Sequence, residues 1–293
     1  MNILYIGSSG PLSLLPFKRL LACGFHISAV GVWHPTVFPR KMLALENETL
    51  AQAAFQRDIP LVDMSKPVDE LVESCSSLAI NLILISCYAR RLPDQLIKLP
   101  AIGCFNMHPS LLPGFRGPEP VFWQMRENAR LGVSWHQVVT AFDAGDLLAQ
   151  QPVELEDGLS YAQINLTLAK QGAELLTEML QQLSRNTPRR QPQDPKLAHY
   201  QTKPQPQDFR LDCTWSVRHA FNFMRATHTF AKPYAYLAPS PGPQEFLLHE
   251  AIGFEICNPP RTVKRENDLL HLPFKDGILM TTYAHDSHPG HDQ

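Results

Sequence analysis

The first 185 residues of this 293-residue chain alternate between short apolar runs and segments with apolar residues at helical spacing. The apolar runs predict buried strands at residues 3–7, 27–33, 61–62, 78–86 and 101–106. The intervening segments predict amphipathic helices at residues 12–23, 48–57, 68–77, 119–128 and 160–183. Because such alternation is typical of parallel sheets, we expect a Rossmann-like, doubly wound, mostly parallel α/β domain over residues 1–185.

The pattern changes in the rest of the chain. Residues 186–206 are polar and rich in proline, which is typical of a linker. Residues 207–293 contain one helical segment at 214–227, followed by short apolar runs separated by Pro and Gly. We therefore predict a small C-terminal domain that is OB-like or otherwise β-rich. Within the first domain, the alternation over residues 132–142 suggests the strands of a hairpin.

The composition narrows the class of protein. The chain has 44% hydrophobic and 18% charged residues, as in a globular protein. Its net charge of −2 lacks the excess of positive charge that non-specific nucleic-acid binding requires. The six cysteines lack metal-ligand spacing, so we expect no metal site and reduced thiols, with Cys87 and Cys104 in the core. The sequence shows neither a signal peptide nor a membrane-length apolar run, which favours a cytoplasmic protein without a membrane partner.

The candidate chemistry lies at the end of the fifth predicted strand. Asn106 and His108 are two residues apart, so their side chains point to the same face of a strand. The loop Pro109-Ser-Leu-Leu-Pro-Gly-Phe-Arg-Gly117 follows at once, and Asp143-Ala-Gly-Asp146 forms a turn further on. Ligands of open α/β sheets bind outside the carboxyl ends of the strands, so this end of the sheet is the predicted site.

Two other features carry no site in this interpretation. Gly7-Ser-Ser-Gly10 lacks the GxGxxG spacing and the later acidic residue of a dinucleotide-binding motif, so we exclude NAD and read a plain turn or a substrate-facing loop. Four further histidines show neither triad nor metal spacing and are expected to be surface or core residues: His34, His136, His219 and His228.

The ordered motif Asn-x-His, Ser-Leu-Leu-Pro-x-x-Arg-Gly and Asp-x-Gly resembles the folate-dependent formyltransferases. That family includes enzymes that act on methionyl-tRNA, glycinamide ribonucleotide and amino sugars. The resemblance covers residues 1–185 well and residues 200–240 weakly. It implies the formyltransferase fold, N10-formyltetrahydrofolate as the formyl donor, and an amine as the acceptor.

The resemblance also implies a role for each residue of the motif. Asn106 would donate its amide to the formyl oxygen, and His108, as imidazolium, would stabilise the same developing charge. Asp143 would hold His108 in this charged form and accept the proton of the amine, directly or through water. Asp146 would be a structural cap of the same turn.

Further residues follow from the same resemblance. The pterin ring of the folate would be bound by two loops, through Cys87, Tyr88, Arg90 and Leu92 in one and through Val139 and Phe142 in the other; a core role is the alternative for Tyr88 and Leu92. The loop that contacts the substrates would use Ser110, Leu111, Pro113, Arg116 and Gly117. For Arg116, either an anionic group of a substrate or a structural salt bridge is expected.

The acceptor is predicted from charge. Residues 207–293 contain eight Lys and Arg against ten Asp and Glu, and residues 34–45 hold only Arg40 and Lys41 where the tRNA enzymes carry a longer basic insertion. A small-molecule amine, such as a nucleotide-linked amino sugar, is therefore favoured over tRNA. Methionyl-tRNA, hydrolysis of the formyl-folate, transfer to a thiol and a non-catalytic folate-binding role remain alternatives. A homodimer is compatible with the sequence, which does not set the oligomeric state.

Overall fold

A computed structural model of the chain describes residues 1–35, 48–238 and 244–283. The short basic stretch with Arg40 and Lys41 lies outside these residues. The described chain forms two compact units. The first comprises Met1–Val121, Arg130–Glu154 and Asn165–Thr202, and the second comprises Phe122–Ala129, Leu155–Ile164 and the described residues from Lys203 onward.

A seven-stranded, mostly parallel sheet forms the centre of the first unit, in the order β3-β2-β1-β4-β5-β6-β7. Its strands are β1 (Ile3–Gly7), β2 (Ile27–Val32), β3 (Leu61–Asp63), β4 (Leu82–Ser86), β5 (Gly103–His108), β6 (Leu131–Gln137) and β7 (Leu147–Val153). The helices along the same part of the chain are α1 (Pro11–Ala22), α2 (Leu50–Phe55), α3 (Val68–Ser77), α4 (Asp94–Lys98), α5 (Pro120–Arg126) and α6 (Tyr161–Ser184). The Rossmann-like α/β prediction is therefore confirmed.

Helices cover both faces of this sheet because its central strands are apolar on both sides. Alternate residues of β1 enter different cores, with Ile3 and Tyr5 in one and Leu4 and Ile6 in the other. The first core also contains residues of α1, α2 and α6, and the second contains residues of α3 and α4. Because helices cover both faces, the connecting loops lie at the ends of the strands.

The hairpin predicted over residues 132–142 is wrong in its second half. β6 ends at Gln137, and its antiparallel partner β7 begins only at Leu147. The connecting turn has Asp143 in the left-handed region, with φ of 51°. Gly145 lies so close to Gln137 that a Cβ would be 2.1 Å from the Gln137 carbonyl oxygen, so no larger residue fits there.

The second unit has its own sheet and core, and its β-rich character is confirmed. The sheet order is β11-β12-β13-β10-β9-β8. Its strands are β8 (Arg210–Leu211), β9 (Tyr234–Ala238), β10 (Gln244–Ile256), β11 (Lys264–Glu266), β12 (Leu269–Phe274) and β13 (Gly277–Tyr283). Its helix α7 (Val217–Thr227) begins three residues later than predicted, because the Ser216 side chain caps it by accepting from His219 N–H.

None of the helices in the described ranges is long and apolar enough to cross a membrane. Over the same ranges, no three metal-ligating side chains come together in an arrangement that could hold an ion.

Candidate active site

The predicted amide and imidazole lie on the last half of β5. Asn106 and His108 share one face of this strand, as the spacing predicted, and the backbone of β5 is parallel to β4 on one side. On the other side β5 is antiparallel to β6, which places Asn106 opposite His136 and His108 opposite Ser134. His108 is buried, with 5% of its surface exposed.

Asp143 reaches the same place from the turn between β6 and β7. One carboxylate oxygen, Oδ2, accepts a hydrogen bond from the Gly117 backbone N–H at 2.9 Å and lies 3.7 Å from His108 Nδ1. The other oxygen, Oδ1, lies 3.4 Å from His136 Nε2. The structure thus brings Asn106, His108 and Asp143 together, and it adds a fourth side chain, His136.

His136 is the residue that sequence reasoning missed. Its ring is buried, its Nε2 lies 3.1 Å from the Asn106 amide nitrogen, and its Nδ1 donates to the backbone carbonyl of Gln137 at 2.9 Å. Spacing along the chain could not reveal this contact, because it depends on the register between β5 and β6. The one available signal was the alternation in β6, which predicts a strand but not its partner.

The two titratable groups of the motif influence each other. Burial acts to raise the pKa of Asp143, but nearby His108, His136 and the Gly117 N–H outweigh it, so the pKa lies well below its usual range. Burial lowers the pKa of His108 and outweighs Asp143, which raises it. The sequence interpretation expected a raised pKa and a resting imidazolium; the buried ring instead favours a neutral imidazole beside an ionised carboxylate.

The loop after β5 fixes the orientation of His108. Its Nε2 donates to the Phe115 carbonyl oxygen at 2.8 Å, so the proton of the neutral ring lies on Nε2 and the lone pair of Nδ1 faces Asp143. The Phe115 N–H in turn donates to His199 Nε2 at 3.2 Å, and the two rings meet edge to face. Ser110 is also buried and donates to the Gly114 carbonyl, so its hydroxyl is used within the loop.

Arg116 is buried and bonds within the protein, as the structural alternative expected, but its partners are neutral. Its guanidinium donates twice to Gln193 Oε1, at 2.7 and 3.2 Å, and once to Tyr200 Oη. The amide of Gln193 then donates to the carbonyl oxygens of Asp143 and Gly145, at 2.8 and 2.6 Å. Residues of the proline-rich segment therefore hold the turn that carries Asp143.

The residues predicted to bind the pterin ring differ in how deeply they are buried. Leu92 is buried in the core beneath the sheet and Tyr88 packs partly against it, which matches the alternative reading of both. Cys87 is exposed rather than in the core as predicted, because it lies just beyond β4 in a left-handed conformation; Cys104 is buried. Val139 and Phe142 are exposed, at 38% and 54%.

Arg90 makes a contact that the sequence did not indicate. Its guanidinium carbon lies 3.7 Å from the centre of the ring of Trp33, the first residue after β2. Because β1 separates β2 from β4 in the sheet, this stacked pair spans the carboxyl end of β1. Trp33 remains 38% exposed.

An amide, a buried imidazole and a half-buried carboxylate that meet at the end of β5 suit acyl transfer, because they supply hydrogen-bond donors and a base. A sequence model described as formyl transferase matches residues 39–180. The methionyl-tRNA formyltransferase of Fusobacterium nucleatum is 29% identical over 168 residues, which cover 57% of this chain and 54% of that protein. The chain is therefore similar to the formyltransferases over residues 39–180.

Solved structures share the fold. The N-formyltransferase from Helicobacter canadensis, in complex with folinic acid and dTDP-3-aminofucose, has a TM-score of 0.67 at 14% identity and covers 97% of this chain and 99% of that one. HypX from Aquifex aeolicus, in complex with tetrahydrofolic acid, has a TM-score of 0.61 at 18% identity. The match covers 96% of this chain and 43% of HypX. Against two methionyl-tRNA formyltransferases, the chain spans only 54% and 62% of the relatives' length.

Proposed function

We propose that this protein transfers a formyl group from N10-formyltetrahydrofolate to the amine of a small molecule, such as a nucleotide-linked amino sugar. The observation that carries the proposal is the meeting of Asn106, His108 and Asp143 at the end of β5, in a chain that is similar to formyltransferases over residues 39–180. The donor supplies an activated formyl carbon, so the reaction needs no nucleophile on the protein.

The geometry suggests how the site would handle the oxyanion. The Asn106 amide nitrogen lies 3.1 Å from His136 Nε2, so one of its hydrogens points toward that ring, and the second amide hydrogen has no protein partner in the described chain. We assign that second hydrogen to the formyl oxygen, which gains negative charge as the amine nitrogen bonds to the formyl carbon. A preorganised donor of this kind stabilises the transition state more than the ground state.

The proton of the amine would pass to His108. Its Nδ1 carries a lone pair in the resting site, and the 3.7 Å separation from Asp143 is too long for a direct hydrogen bond. On taking the proton, His108 becomes an imidazolium beside the ionised Asp143, which stabilises it. His108 then returns the proton to the folate nitrogen as the bond from that nitrogen to the formyl carbon breaks.

The choice of acceptor rests on charge and on the Trp33–Arg90 pair. Arg90 has no carboxylate partner among the described residues, and its planar cation lies on an exposed aromatic ring. Together they offer a stacking face and a positive charge, which suit the base and the phosphates of a nucleotide. The Helicobacter canadensis enzyme of the same fold is solved with such an acceptor, dTDP-3-aminofucose.

Methionyl-tRNA is the second candidate acceptor, because the F. nucleatum relative is a methionyl-tRNA formyltransferase. The acidic balance of residues 207–293 argues against it. Hydrolysis of the donor without an acceptor is tested by the same assay, since it would release formate at full rate when no amine is present.

The test is an acceptor screen. Purified protein and N10-formyltetrahydrofolate are mixed with nucleotide-linked amino sugars, free amino sugars, other amines or methionyl-tRNA, and products are identified by mass spectrometry. We expect formylation of a nucleotide-linked amino sugar by the wild type, and formylation about 100- to 1,000-fold slower by His108→Ala. Preferred formylation of methionyl-tRNA would overturn the acceptor proposal, and no formylation of any acceptor would overturn the function.

A matched pair of variants tests the role of Trp33. Trp33→Ala should raise the KM for a nucleotide-linked acceptor about 10-fold or more while leaving the KM for the folate donor unchanged. Phe55→Ala, which removes another exposed aromatic side chain, serves as the control. An unchanged acceptor KM in Trp33→Ala would show that the Trp33–Arg90 pair is an ordinary surface contact.

A further inference from the structure

The buried ring of His136 stands between two of the groups assigned to the reaction. It lies opposite Asn106 across the β5–β6 pair, and it is 3.1 Å from the Asn106 amide nitrogen and 3.4 Å from an oxygen of Asp143. The register of β6 with β7 shifts between Trp135 and His136, and irregularities of this kind re-aim nearby side chains. The ring of His108 is further away, with 6.4 Å between the centroids.

The hydrogen bonds around His136 determine which of its nitrogens carries a proton. Nδ1 faces the carbonyl oxygen of Gln137, which can only accept, so Nδ1 carries a proton. Nε2 lies 3.1 Å from the Asn106 amide nitrogen and 3.4 Å from Asp143 Oδ1. In the tautomer with its proton on Nδ1 alone, Nε2 accepts a hydrogen bond, and the Asn106 side chain turns its NH₂ group toward it.

This constraint reaches the reacting atoms through Asn106. An amide that is free to rotate presents oxygen or NH₂ to the site with similar ease, and an oxygen would repel the developing oxyanion. With one hydrogen held by His136 Nε2, the second hydrogen of the same nitrogen points elsewhere and remains available. A fixed donor loses no energy to reorientation during the reaction.

We propose that His136 is a positioning residue, which fixes the donor end of the Asn106 amide toward the formyl oxygen. The proposal rests on the proposed function for its kinetic readout, but its structural readout does not require turnover. His136 touches neither substrate in this account, and it acts only through Asn106.

Two substitutions distinguish the hydrogen-bond acceptor atom of His136 from the volume of its ring. His136→Leu removes the hydrogen-bond acceptor Nε2 and should lower kcat about 10-fold, with little change in the affinity for 5-formyltetrahydrofolate. His136→Gln keeps an oxygen that can accept from Asn106 and should retain most of the wild-type kcat. Equal losses of kcat in both variants would overturn the proposal.

A double-mutant cycle tests whether the effect passes through Asn106. In an Asn106→Ala background, His136→Leu should cause no further loss of kcat. A full additional loss in that background would overturn the proposal, and so would a cycle in which His136 couples to Asp143 instead.

Nuclear magnetic resonance of the Asn106 side-chain NH₂ provides the readout that is independent of activity. The wild type and His136→Gln should show two well-separated amide proton signals with slow hydrogen exchange, and His136→Leu should show signals close to those of a free amide. Unchanged Asn106 signals in a folded His136→Leu protein would overturn the proposal. If the amide responds as expected and no formyl transfer occurs, the fault lies with the proposed function and not with this inference.

Discussion

The strand pair β5–β6 and the loops after β4 and β6 both carry predicted site residues, but the protein holds them differently. On the strand pair, His108 and His136 are buried, and every ring nitrogen faces a protein group. On the loops, Cys87, Val139 and Phe142 are exposed.

The difference separates two tasks. Groups that handle charge and protons need fixed geometry, which strands and a buried hydrogen-bond network supply. Groups that recognise a ligand can be exposed until the ligand covers them, and loops carry such groups. If this division is right, substitutions in the first region change kcat, and substitutions in the second change binding.

The largest effect is expected for His108→Ala. Loss of the group that takes the proton should lower kcat about 100- to 1,000-fold, with little change in folate affinity. Single-turnover kinetics and calorimetric titration with 5-formyltetrahydrofolate measure the two quantities separately. Normal turnover by this variant would remove His108 from the mechanism.

Asp143→Asn should lower kcat almost as strongly, about 100-fold. Asp143 raises the pKa of His108 against the effect of burial, so its removal should lower that pKa further below the ordinary value. The imidazolium would then form less readily. Titration of the His108 ring by nuclear magnetic resonance checks the direction, and an unchanged or raised pKa would contradict the pairing.

A smaller effect is expected for Gln193→Ala. This substitution removes both hydrogen bonds to the turn that carries Asp143 and leaves the buried Arg116 without its main acceptor. We expect kcat to fall about 10-fold and thermal stability to decrease. Gln151→Ala, at an exposed position on β7, is the control and should leave both unchanged. Equal behaviour of the two variants would mean that Gln193 does not position Asp143.

The smallest effect is expected for Phe142→Ala, on the exposed loop. We expect the Kd for 5-formyltetrahydrofolate to rise a few-fold, roughly 2- to 10-fold, with kcat at saturating donor unchanged. A large loss of kcat from this substitution would break the division between the two regions.

Much of this fold could be predicted from the sequence because its signals are local. The apolar runs at β1, β2 and β4 and the two-residue spacing of Asn106 and His108 depend only on neighbouring residues. The prediction of a hairpin over residues 132–142 was wrong in its second half because the turn after β6 depends on the left-handed Asp143 and on Gly145. Alternation of apolar residues does not indicate such a turn.

The rest of the site depends on contacts between residues distant in sequence. His136 became visible only through the register of β5 with β6, and Gln193 only through a contact 50 residues from Asp143. The pKa of His108 illustrates the same point, since a nearby carboxylate could be foreseen and the depth of burial could not. Pattern along the chain indicates which elements form, and tertiary packing decides what surrounds each group.

The central claim is that the end of β5 binds a formyl-folate and activates it for an amine. Calorimetric titration with 5-formyltetrahydrofolate, a stable relative of the donor, tests it most directly when run in parallel on the wild type and on His108→Ala. We expect micromolar binding to both proteins, whereas formyl transfer from N10-formyltetrahydrofolate, measured separately, should be about 100- to 1,000-fold slower in His108→Ala. Absence of binding to a folded wild-type protein would contradict it.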